Sequence, residues 1–444
     1  MITAPIYEFV RRYRYSGALR MHMPGHKGTA LLGPEPLDLT EIEGADVLYH
    51  AEGIIRESEA NAAALFGTKK TVYSAEGSSL CIRAMLYLAL LHARANHKKP
   101  VIAAGRNAHK VFMTAAALLD LDIRWIYGTE SVISCTITPA QLEDVIVSEN
   151  PAAVYITSPD YLGNIADIKS LSTVCKKHGV LLLVDNAHGA YLRFLPEPMH
   201  PMQLGADICC DSAHKTLPVL TGGAYLHIAH GTPDMFAQRA ESAMALFAST
   251  SPSYLILQSL DAMNPLLATS FPAQLKACAE RLDTLKAKLR AHGYALCGEE
   301  RTKLCLLPKS FGYTGTALAE ILTHHNIYCE FSDADHLVMM FTPETTPADF
   351  ARLERALLSV LPAPAILSKP PVPPHAERVL SPREALFSPS ETLPLSECEN
   401  RILADANVSC PPAVPLAVCG ECLTPEVISA MEYYGTEHCT VVVE

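Results

Sequence analysis

Short apolar runs alternate with helix-like stretches from about residue 65 to residue 228. The runs have the length of strands and are bounded by glycine or polar residues: PVIAAG, DIRWIYG, AAVYITSP, VLLLVDNAHG, ADICCDSA and GGAYLHI. Longer stretches such as SLCIRAMLYLALLHARAN and IKSLSTVCKKHG lie between them and fit helices. Strands that are apolar throughout and alternate with helices are typical of a parallel sheet with both faces covered. The pattern therefore predicts an α/β fold with a mainly parallel sheet.

The pattern changes twice after residue 230. Helical stretches such as FPAQLKACAERLDTLKAKLRAHG dominate up to residue 361, and the shorter runs KLCLLP and HLVMMFTP predict strands of a small α+β domain. Proline then recurs through residues 362–394, which excludes a regular helix and favours a semi-rigid linker. We therefore expect an N-terminal segment (1–64), a large domain (65–230), the small domain (231–361), the linker and a C-terminal module (395–444).

Composition and charge exclude several classes of protein. With 444 residues, 49% of them hydrophobic and only 18% charged, the chain has ample material for more than one core and is not a disordered polyelectrolyte. The net charge of -12 argues against nucleic acid as a partner. It would suit a cationic substrate, although an acidic surface also serves solubility alone.

Membrane and metal partners are not expected either. No window approaches the roughly 20 apolar residues of a membrane span, and the first residues lack the apolar core of a signal peptide, so we expect a cytoplasmic protein. The 14 cysteines lie mostly in apolar segments, where they act as small buried side chains in a reducing compartment. The one CxxC pair, Cys419 and Cys422, has no second pair of ligands, so we expect no metal site.

Residues that directly follow the apolar runs are the first candidates for a site, because ligands of parallel sheets bind beyond the carboxyl ends of the strands. Gly77, Ser78 and Ser79 start a long helix, where free N–H groups, two hydroxyls and the positive helix end could hold a phosphate. An ordinary helix N-cap is the alternative. His109 follows another run and could stack on a planar ring, or it could be an ordinary surface histidine.

Two later strand ends carry an acid and a lysine. Asp185 ends the run VLLLVD, and His188 lies in the next loop. A carboxylate there is either tied to backbone N–H groups or faces a cation such as a protonated pyridine nitrogen. Lys215 follows about thirty residues later, which leaves room for one helical crossover. A partly desolvated lysine can form a Schiff base, and Ser212 and His214 beside it could contact a phosphate.

These groups form a set that no single residue suggests. A phosphate cradle, a stacking ring, an acid and a Schiff-base lysine are the parts needed to hold pyridoxal 5'-phosphate. A Rossmann dehydrogenase is disfavoured because no GxGxxG follows an early strand, and the P-loop pattern GxxxxGK[ST] does not occur.

The chain resembles the Orn/Lys/Arg decarboxylases, fold-type-I pyridoxal-phosphate enzymes, in their shorter bacterial form without an N-terminal wing domain. The motifs that carry the resemblance are MHMPGHKG, DLTEIEGADVLYHAEGIIRESEANAAALFGT, RNAHK, DNAHGAY, DSAHK and NRILADANVSCPPAVPLAVCGE. The resemblance implies that His109 stacks on the cofactor, Asp185 pairs with the pyridine nitrogen and Lys215 forms the Schiff base, while Ser212 and His214 contact the phosphate.

The resemblance also implies an activity and an assembly. The expected reaction is the decarboxylation of arginine, lysine or ornithine to the corresponding amine, in a homodimer or larger homo-oligomer whose active sites lie at the subunit interface. Two other hypotheses stay open. The chain could catalyse another reaction on the same fold, that of an aminotransferase or a carbon–sulfur lyase, or it could be a homologue without catalytic activity. The motif MPGHKG and the C-terminal module favour the decarboxylase.

Several positions depart from the motifs of the family. Asn186 stands where a glutamate usually follows the pyridine-binding aspartate. Asp160 and Leu162 stand in a turn that usually has threonine and two aromatic residues, and Glu76 precedes the phosphate-binding glycine. Asp160 and Glu76 are conceivable readers of the distal cation of the substrate. These departures leave the identity of the substrate open.

Overall fold

The computed structural model of the chain describes residues 2–128, 134–406 and 414–443. Residues 407–413 of the C-terminal motif quoted above lie outside the described residues. The strands are Lys70–Ser74 (β1), Val101–Gly105 (β2), Asp122–Ile126 (β3), Ala153–Thr157 (β4), Leu181–Asp185 (β5), Ile208–Asp211 (β6), Ala224–Ile228 (β7), Ala295–Cys297 (β8), Lys303–Leu307 (β9), Phe331–Ser332 (β10), Leu337–Met340 (β11), Ser390–Pro394 (β12) and His438–Val442 (β13).

Helices separate most of these strands. They are Pro5–Tyr15 (α1), Ile54–Phe66 (α2), Gly77–Ala95 (α3), Lys110–Leu119 (α4), Pro139–Glu149 (α5), Ile168–His178 (α6), Pro201–Leu204 (α7), Ala213–Thr216 (α8), Asp234–Ala245 (α9), Tyr254–Ala268 (α10), Phe271–His292 (α11), Gly315–His324 (α12), Pro347–Ser359 (α13), Pro382–Phe387 (α14) and Pro425–Tyr433 (α15). Short 3-10 helices occur at Glu35–Leu37, Ala190–Phe194, Pro308–Phe311 and Leu395–Glu397.

The chain divides into two compact units. The first contains the strands β1, β7, β6 and β5, which lie side by side in that order. β5 and β6 are parallel, whereas β7 is antiparallel to both β6 and β1. β1, β5 and β6 therefore run in one direction and β7 alone opposes them, so the mainly parallel sheet that the sequence predicts is confirmed. This unit comprises Met1–Lys99, Ala152–Val154 and Ile168–Leu275.

The direction of β7 follows from the short connection that leads into it. Only one helical turn, α8, lies between β6 and β7. A parallel neighbour needs a crossover long enough to pass over the sheet, whereas an antiparallel strand needs only a short return. The run GGAYLHI is therefore a strand, as expected, but not a parallel one. The apolar pattern does not predict β1, because its residues KTVYS mix polar and apolar side chains.

Both faces of this sheet are covered. All residues of β5, β6 and β7 are buried, and α3 contributes ten buried residues to the core. Burial on both faces explains why these strands are apolar throughout instead of alternating.

The second unit contains two small antiparallel sheets and one parallel pair of strands. β2 and β3 are parallel, with Val101 opposite Asp122 and Gly105 opposite Ile126, and α4 connects them. The four-stranded sheet has the order β10-β11-β9-β8 and includes both runs predicted for the small domain, as β9 and β11. β12 pairs with β13 near the C-terminus. β12 and α14 both lie within residues 362–394, so the expectation that proline excludes a regular helix from this stretch is wrong. Pro382 lies in the first turn of α14, where a backbone N–H has no partner within the helix in any case. The unit comprises Pro100–Pro151, Tyr155–Asp167 and Lys276–Glu444.

Two of the expectations from composition can be checked against the described ranges. None of the helices in these ranges is both long and apolar enough to span a membrane. The described cysteines are free thiols, and most of them are buried, as expected for small apolar side chains.

A buried glutamate in the first unit makes the stability of the fold depend on pH. Glu59 in α2 accepts a hydrogen bond from the backbone N–H of Tyr73 (2.9 Å), and burial raises its pKa from 4.5 to about 8. Between these two pKa values, Glu59 keeps its proton in the folded protein, whereas the same side chain has released it in the unfolded chain. Stability is then lost as the pH rises from the unfolded pKa to the folded one.

We predict that Glu59→Gln removes this loss. Between about pH 5 and about pH 8, the free energy of unfolding of the wild type should fall relative to that of the variant by up to ~1.4 kcal/mol per pH unit. Denaturant unfolding at several pH values measures the difference. Glu57→Gln, an exposed position on the same helix, is the matched control and should leave the slope unchanged. Parallel pH profiles of the wild type and Glu59→Gln would contradict a protonated Glu59.

Candidate active site

The carboxyl ends of β1, β5 and β6 lie at one edge of the sheet in the first unit, together with the start of β7. The register shows this, because Asp185 is opposite Cys210 in β6 and Ser74 is opposite Ala224 in β7. The loops that follow these ends therefore emerge at the same edge. They carry eight of the residues singled out in the sequence, namely Gly77, Ser78, Ser79, Asp185, His188, Ser212, His214 and Lys215.

The turn before α3 holds the helix end in place. Gly77 has a φ of +72°, a left-handed conformation that glycine adopts at little cost. Its backbone N–H donates to the carbonyl of Gly222, just before β7, over 2.7 Å. Glu76 directs its carboxylate to the backbone N–H of Ser249 (2.8 Å) instead of capping the helix. The first turn of α3 is thus fixed to its neighbours without a side-chain cap.

Two hydroxyls meet at this helix end. The Oγ of Ser212, the residue after β6, donates to the Oγ of Ser78 in the first turn of α3 over 2.8 Å. Ser79 follows Ser78 in the same turn and is half-buried. Hydroxyl groups and the N–H groups of a helix start are donors that suit a phosphate. The structure therefore brings together the two segments that the sequence proposes as a phosphate cradle.

Lys215 lies in the single turn of α8 and is half-buried. Its Nζ is 3.0 Å from the Nε2 of His188, a buried imidazole in the loop after β5. The neighbouring residue, His214, is held by Gly223. The backbone N–H and the Nδ1 of His214 both lie within hydrogen-bonding distance of the carbonyl of Gly223 (3.1 and 3.0 Å). Burial lowers the pKa of His214, and Lys215 adds to this effect.

Asp185 ends β5 and is buried, with 2% of its surface exposed. Its Oδ1 accepts hydrogen bonds from the backbone N–H of Ala187 (3.2 Å) and from the thiol of Cys210 (3.6 Å). These two contacts fix the direction of the carboxylate at the edge of the sheet.

The sequence does not point to Asp211, the last residue of β6, whose carboxylate is buried. Its Oδ1 accepts from the side-chain amide of Asn186 (2.7 Å), and its Oδ2 lies 2.9 and 3.1 Å from the Nε2 atoms of His200 and His227. Burial alone would raise the pKa of Asp211, but the two imidazoles outweigh it and hold the pKa well below its usual range. The segments after β5 and β6 are thereby joined by a side-chain contact.

The same cluster has a composition that could suit a metal ion. Ligand atoms of His200, Cys209 and Asp211 lie within 4.8 Å of one another. However, the backbone N–H of Met202 donates to the Nδ1 of His200 (3.3 Å), so in the neutral ring the proton sits on Nε2 and is donated to Asp211. A protonated Nε2 cannot coordinate a cation, and we therefore interpret the cluster as a hydrogen-bond network.

His109 belongs to the second unit. It follows β2 and caps α4, where its Nδ1 accepts a hydrogen bond from the backbone N–H of Val111 (3.3 Å). The imidazole is exposed in this unit, and the capping contact sets the direction of its ring.

Asp160, also in the second unit, uses its carboxylate for hydrogen bonds within its own loop. Its buried carboxylate accepts from the backbone N–H groups of Leu162 (3.0 Å) and Asn164 (2.8 Å) and from the side-chain amide of Asn164 (2.7 Å). Burial raises the pKa of Asp160, and these donors oppose that rise. The carboxylate therefore stabilises its own loop.

A family described as "Orn/Lys/Arg decarboxylase, major domain" matches residues 4–296 of the chain. The chain belongs to the Orn/Lys/Arg decarboxylase family. Among curated relatives, an arginine decarboxylase of Bacillus subtilis (strain 168) is 31% identical over 96% of this chain and 92% of its own length. An arginine decarboxylase of Halalkalibacterium halodurans is 28% identical over 95% of this chain and 91% of its own.

Solved structures of lysine decarboxylases have the same fold. The lysine decarboxylase of Francisella novicida covers the whole chain, with 81% of its own chain matched, a TM-score of 0.78 and 16% identity. The constitutive lysine decarboxylase of E. coli also covers the whole chain, with 82% of its own matched, a TM-score of 0.80 and 17% identity. At this identity the likeness concerns the fold, and it confirms the predicted fold-type-I α/β architecture.

The contact between Asn186 and Asp211 can be tested by exchanging its two ends. Asn186→Asp alone places a second carboxylate against a buried one and should lower the free energy of unfolding by about 3 kcal/mol. Adding Asp211→Asn restores one donor toward position 186 and one acceptor toward the two histidines. We predict that the double variant recovers at least ~1 kcal/mol over the sum of the single variants in denaturant unfolding. Strictly additive single effects would contradict the contact.

Proposed function

We propose that this chain is a pyridoxal-phosphate-dependent decarboxylase and that its substrate is arginine. Orn/Lys/Arg decarboxylases act on basic amino acids, and two relatives that match nearly the full chain are arginine decarboxylases. The observation that carries the proposal is the edge of the first sheet, where a half-buried lysine, a buried carboxylate and a helix start with two hydroxyls follow neighbouring strand ends. The net charge of -12 suits a cationic substrate.

The residues at this edge fit the cofactor. The hydroxyls of Ser78 and Ser212, 2.8 Å apart at the start of α3, would donate to its phosphate. The carboxylate of Asp185 is buried, and a hydrogen bond from the backbone fixes its orientation. Both properties suit a partner of a protonated pyridine nitrogen. We assign Lys215, Asp185 and His109 as catalytic residues. The proposed cofactor contacts are Gly77, Ser78, Ser79, His109, Asp185, His188, Ser212, His214 and Lys215.

Each of these residues would have a defined task. When bound, pyridoxal phosphate supplies a ring that accepts the electrons left at Cα when CO₂ departs. Asp185 would hold the proton on the pyridine nitrogen, since an ionised carboxylate beside that nitrogen favours its charged form. Lys215 would hold the cofactor through its Nζ until the α-amine of the substrate takes its place. His188, 3.0 Å from that Nζ, can take up and return the proton of the amine.

A substrate panel tests the proposal. The purified protein with pyridoxal phosphate should release CO₂ and the corresponding amine from arginine, and less or none from lysine and ornithine. Lys215→Ala should lower the rate by ~10³-fold or more and remove the visible absorption of the bound cofactor, because no other proposed residue can replace the amine. Lys276→Ala, an exposed lysine on α11, is the matched control and should leave both unchanged.

The outcomes separate the alternatives. Formation of a keto acid without CO₂ would indicate an aminotransferase, and cleavage of a sulfur-containing amino acid would indicate a lyase. Cofactor absorption without any turnover would indicate a homologue that only binds. If lysine or ornithine is preferred, the decarboxylase proposal stands and the choice of arginine fails.

We also propose that the chain forms a homodimer. Several apolar side chains between residues 15 and 32 are strongly exposed in the single chain, among them Leu31 (84%) and Leu32 (91%). Strongly exposed apolar side chains favour a covering surface, and a second copy of the chain is the partner expected for this family. The cytoplasmic location and the lack of nucleic-acid and membrane partners stay predictions from the sequence.

The dimer proposal predicts an effect of polar substitutions in this segment. The double variant Leu31→Ser and Leu32→Ser should shift the mass in light scattering toward the monomer, because it removes apolar surface from the interface. The double variant Leu361→Ser and Leu367→Ser, at exposed positions elsewhere, should not. A monomeric wild type would contradict the dimer, and a dimer unaffected by the first variant would contradict this location of the interface.

A further inference from the structure

The C-terminal part of the second unit, here residues 378–406 and 414–443, contacts the segment that carries His109. We define the His109 segment as β2, α4 and β3 with their connecting turns (101–126). Arg106 follows β2, three residues before His109, and its Nη1 and Nη2 each donate to one carboxylate oxygen of Glu421 over 2.7 Å. Arg106 is 4% exposed and Glu421 1%. Two parallel hydrogen bonds in a buried setting fix the relative orientation of the two groups.

Each partner of this ion pair has further contacts with neighbouring residues. The guanidinium of Arg106 lies over the rings of Trp125 (4.9 Å) and Tyr127 (5.7 Å), and its backbone N–H donates to the carbonyl of Ile126. The carboxylate of Glu421 accepts a further hydrogen bond from the backbone N–H of Val418 (2.9 Å). Movement at position 421 would therefore be transmitted to the turn after β2.

Two more arginines of the C-terminal part contact the same segment farther along. Arg383 in α14 donates to the carbonyls of Ala117 and Leu118 (3.1 and 3.2 Å) and so caps the end of α4. Arg378 donates to Asp122 in β3 (2.9 Å). The His109 segment is thus held after β2, at the end of α4 and in β3.

His109 is the N-cap of α4, so the position of its ring depends on how α4 is held. A buried ion pair adds little net stability over apolar side chains of similar volume. Its effect is directional, since it sets the angle between two elements. A ring that stacks on a cofactor, as proposed for His109, would require such an orientation.

We propose that Glu421 is a positioning residue that acts through Arg106 on His109, and that the C-terminal part of the second unit serves the reaction by orienting the His109 segment. The inference rests on the proposed stacking role of His109. It assigns a task to a part of the chain whose role the sequence leaves open.

The test compares Glu421→Gln with Glu391→Gln in the enzyme loaded with cofactor. Glu391 forms an ion pair with Arg401 (2.7 Å) inside the C-terminal part and does not reach Arg106. Glu421→Gln should lower kcat about tenfold with a smaller change in KM, because the ring is misplaced rather than lost. It should also change the visible circular dichroism of the bound cofactor. Glu391→Gln should change neither.

A second background shows whether the effect passes through His109. In His109→Ala, adding Glu421→Gln should change kcat and the dichroism far less than in the wild type, since no ring remains to be oriented. Assays run below the unfolding midpoint of every variant. If Glu421→Gln does not fold, Arg383→Gln at an exposed position replaces it, with a fall in kcat of about threefold that again vanishes in His109→Ala.

Several results would overturn the inference. Glu421→Gln could match Glu391→Gln, its effect could be equal in both His109 backgrounds, or His109→Ala could leave the dichroism unchanged. Each of these leaves the decarboxylase proposal intact, provided that the wild type binds the cofactor and releases CO₂. A wild type without either property would instead refute the proposed function.

Discussion

The hydrogen bond between Asn186 and Asp211 is the contact on which the site in the first unit depends. It joins the residue after β5 with the last residue of β6, and so fixes the segments that begin with Asp185 and Ser212 relative to each other. A buried carboxylate is stable only when donors surround it, and the amide of Asn186 and two imidazoles do so here. This contact at the ends of β5 and β6 therefore sets the spacing of the candidate residues that follow these strands.

This contact also explains a departure from the motifs of the family. Asn186 stands where glutamate is usual, and the sequence alone leaves open whether such positions determine the substrate. In the structure the side chain of Asn186 is buried and donates to Asp211, where a glutamate would oppose one carboxylate to another. The carboxylate of Asp160 is likewise used by its own loop. Hydrogen bonding inside the protein accounts for both positions, and neither requires an unusual substrate.

The sequence predicts those candidate residues that stand out from their immediate neighbours in the chain. Asp185 and Lys215 follow buried strands, where an ionisable residue is conspicuous in the letters alone. The direction of β7 depends on the length of its connection, and the polar residues in β1 conceal a strand. Arg106 and Glu421 are 315 positions apart, so no local pattern pairs them, although each lies in a motif that resembles the family.

In each unit a buried charged residue closely precedes a candidate residue along the chain, and its physical character explains why. Apolar packing is strong but non-directional, and it cannot orient a half-buried lysine or an exposed imidazole at the surface of its unit. A carboxylate with several donors, or an arginine paired through two hydrogen bonds, fixes angles as well as distances. Asp211 directly precedes Ser212, and Arg106 precedes His109 by three residues. The apolar core holds the sheet together, while these charges fix the turns on which the candidate side chains lie.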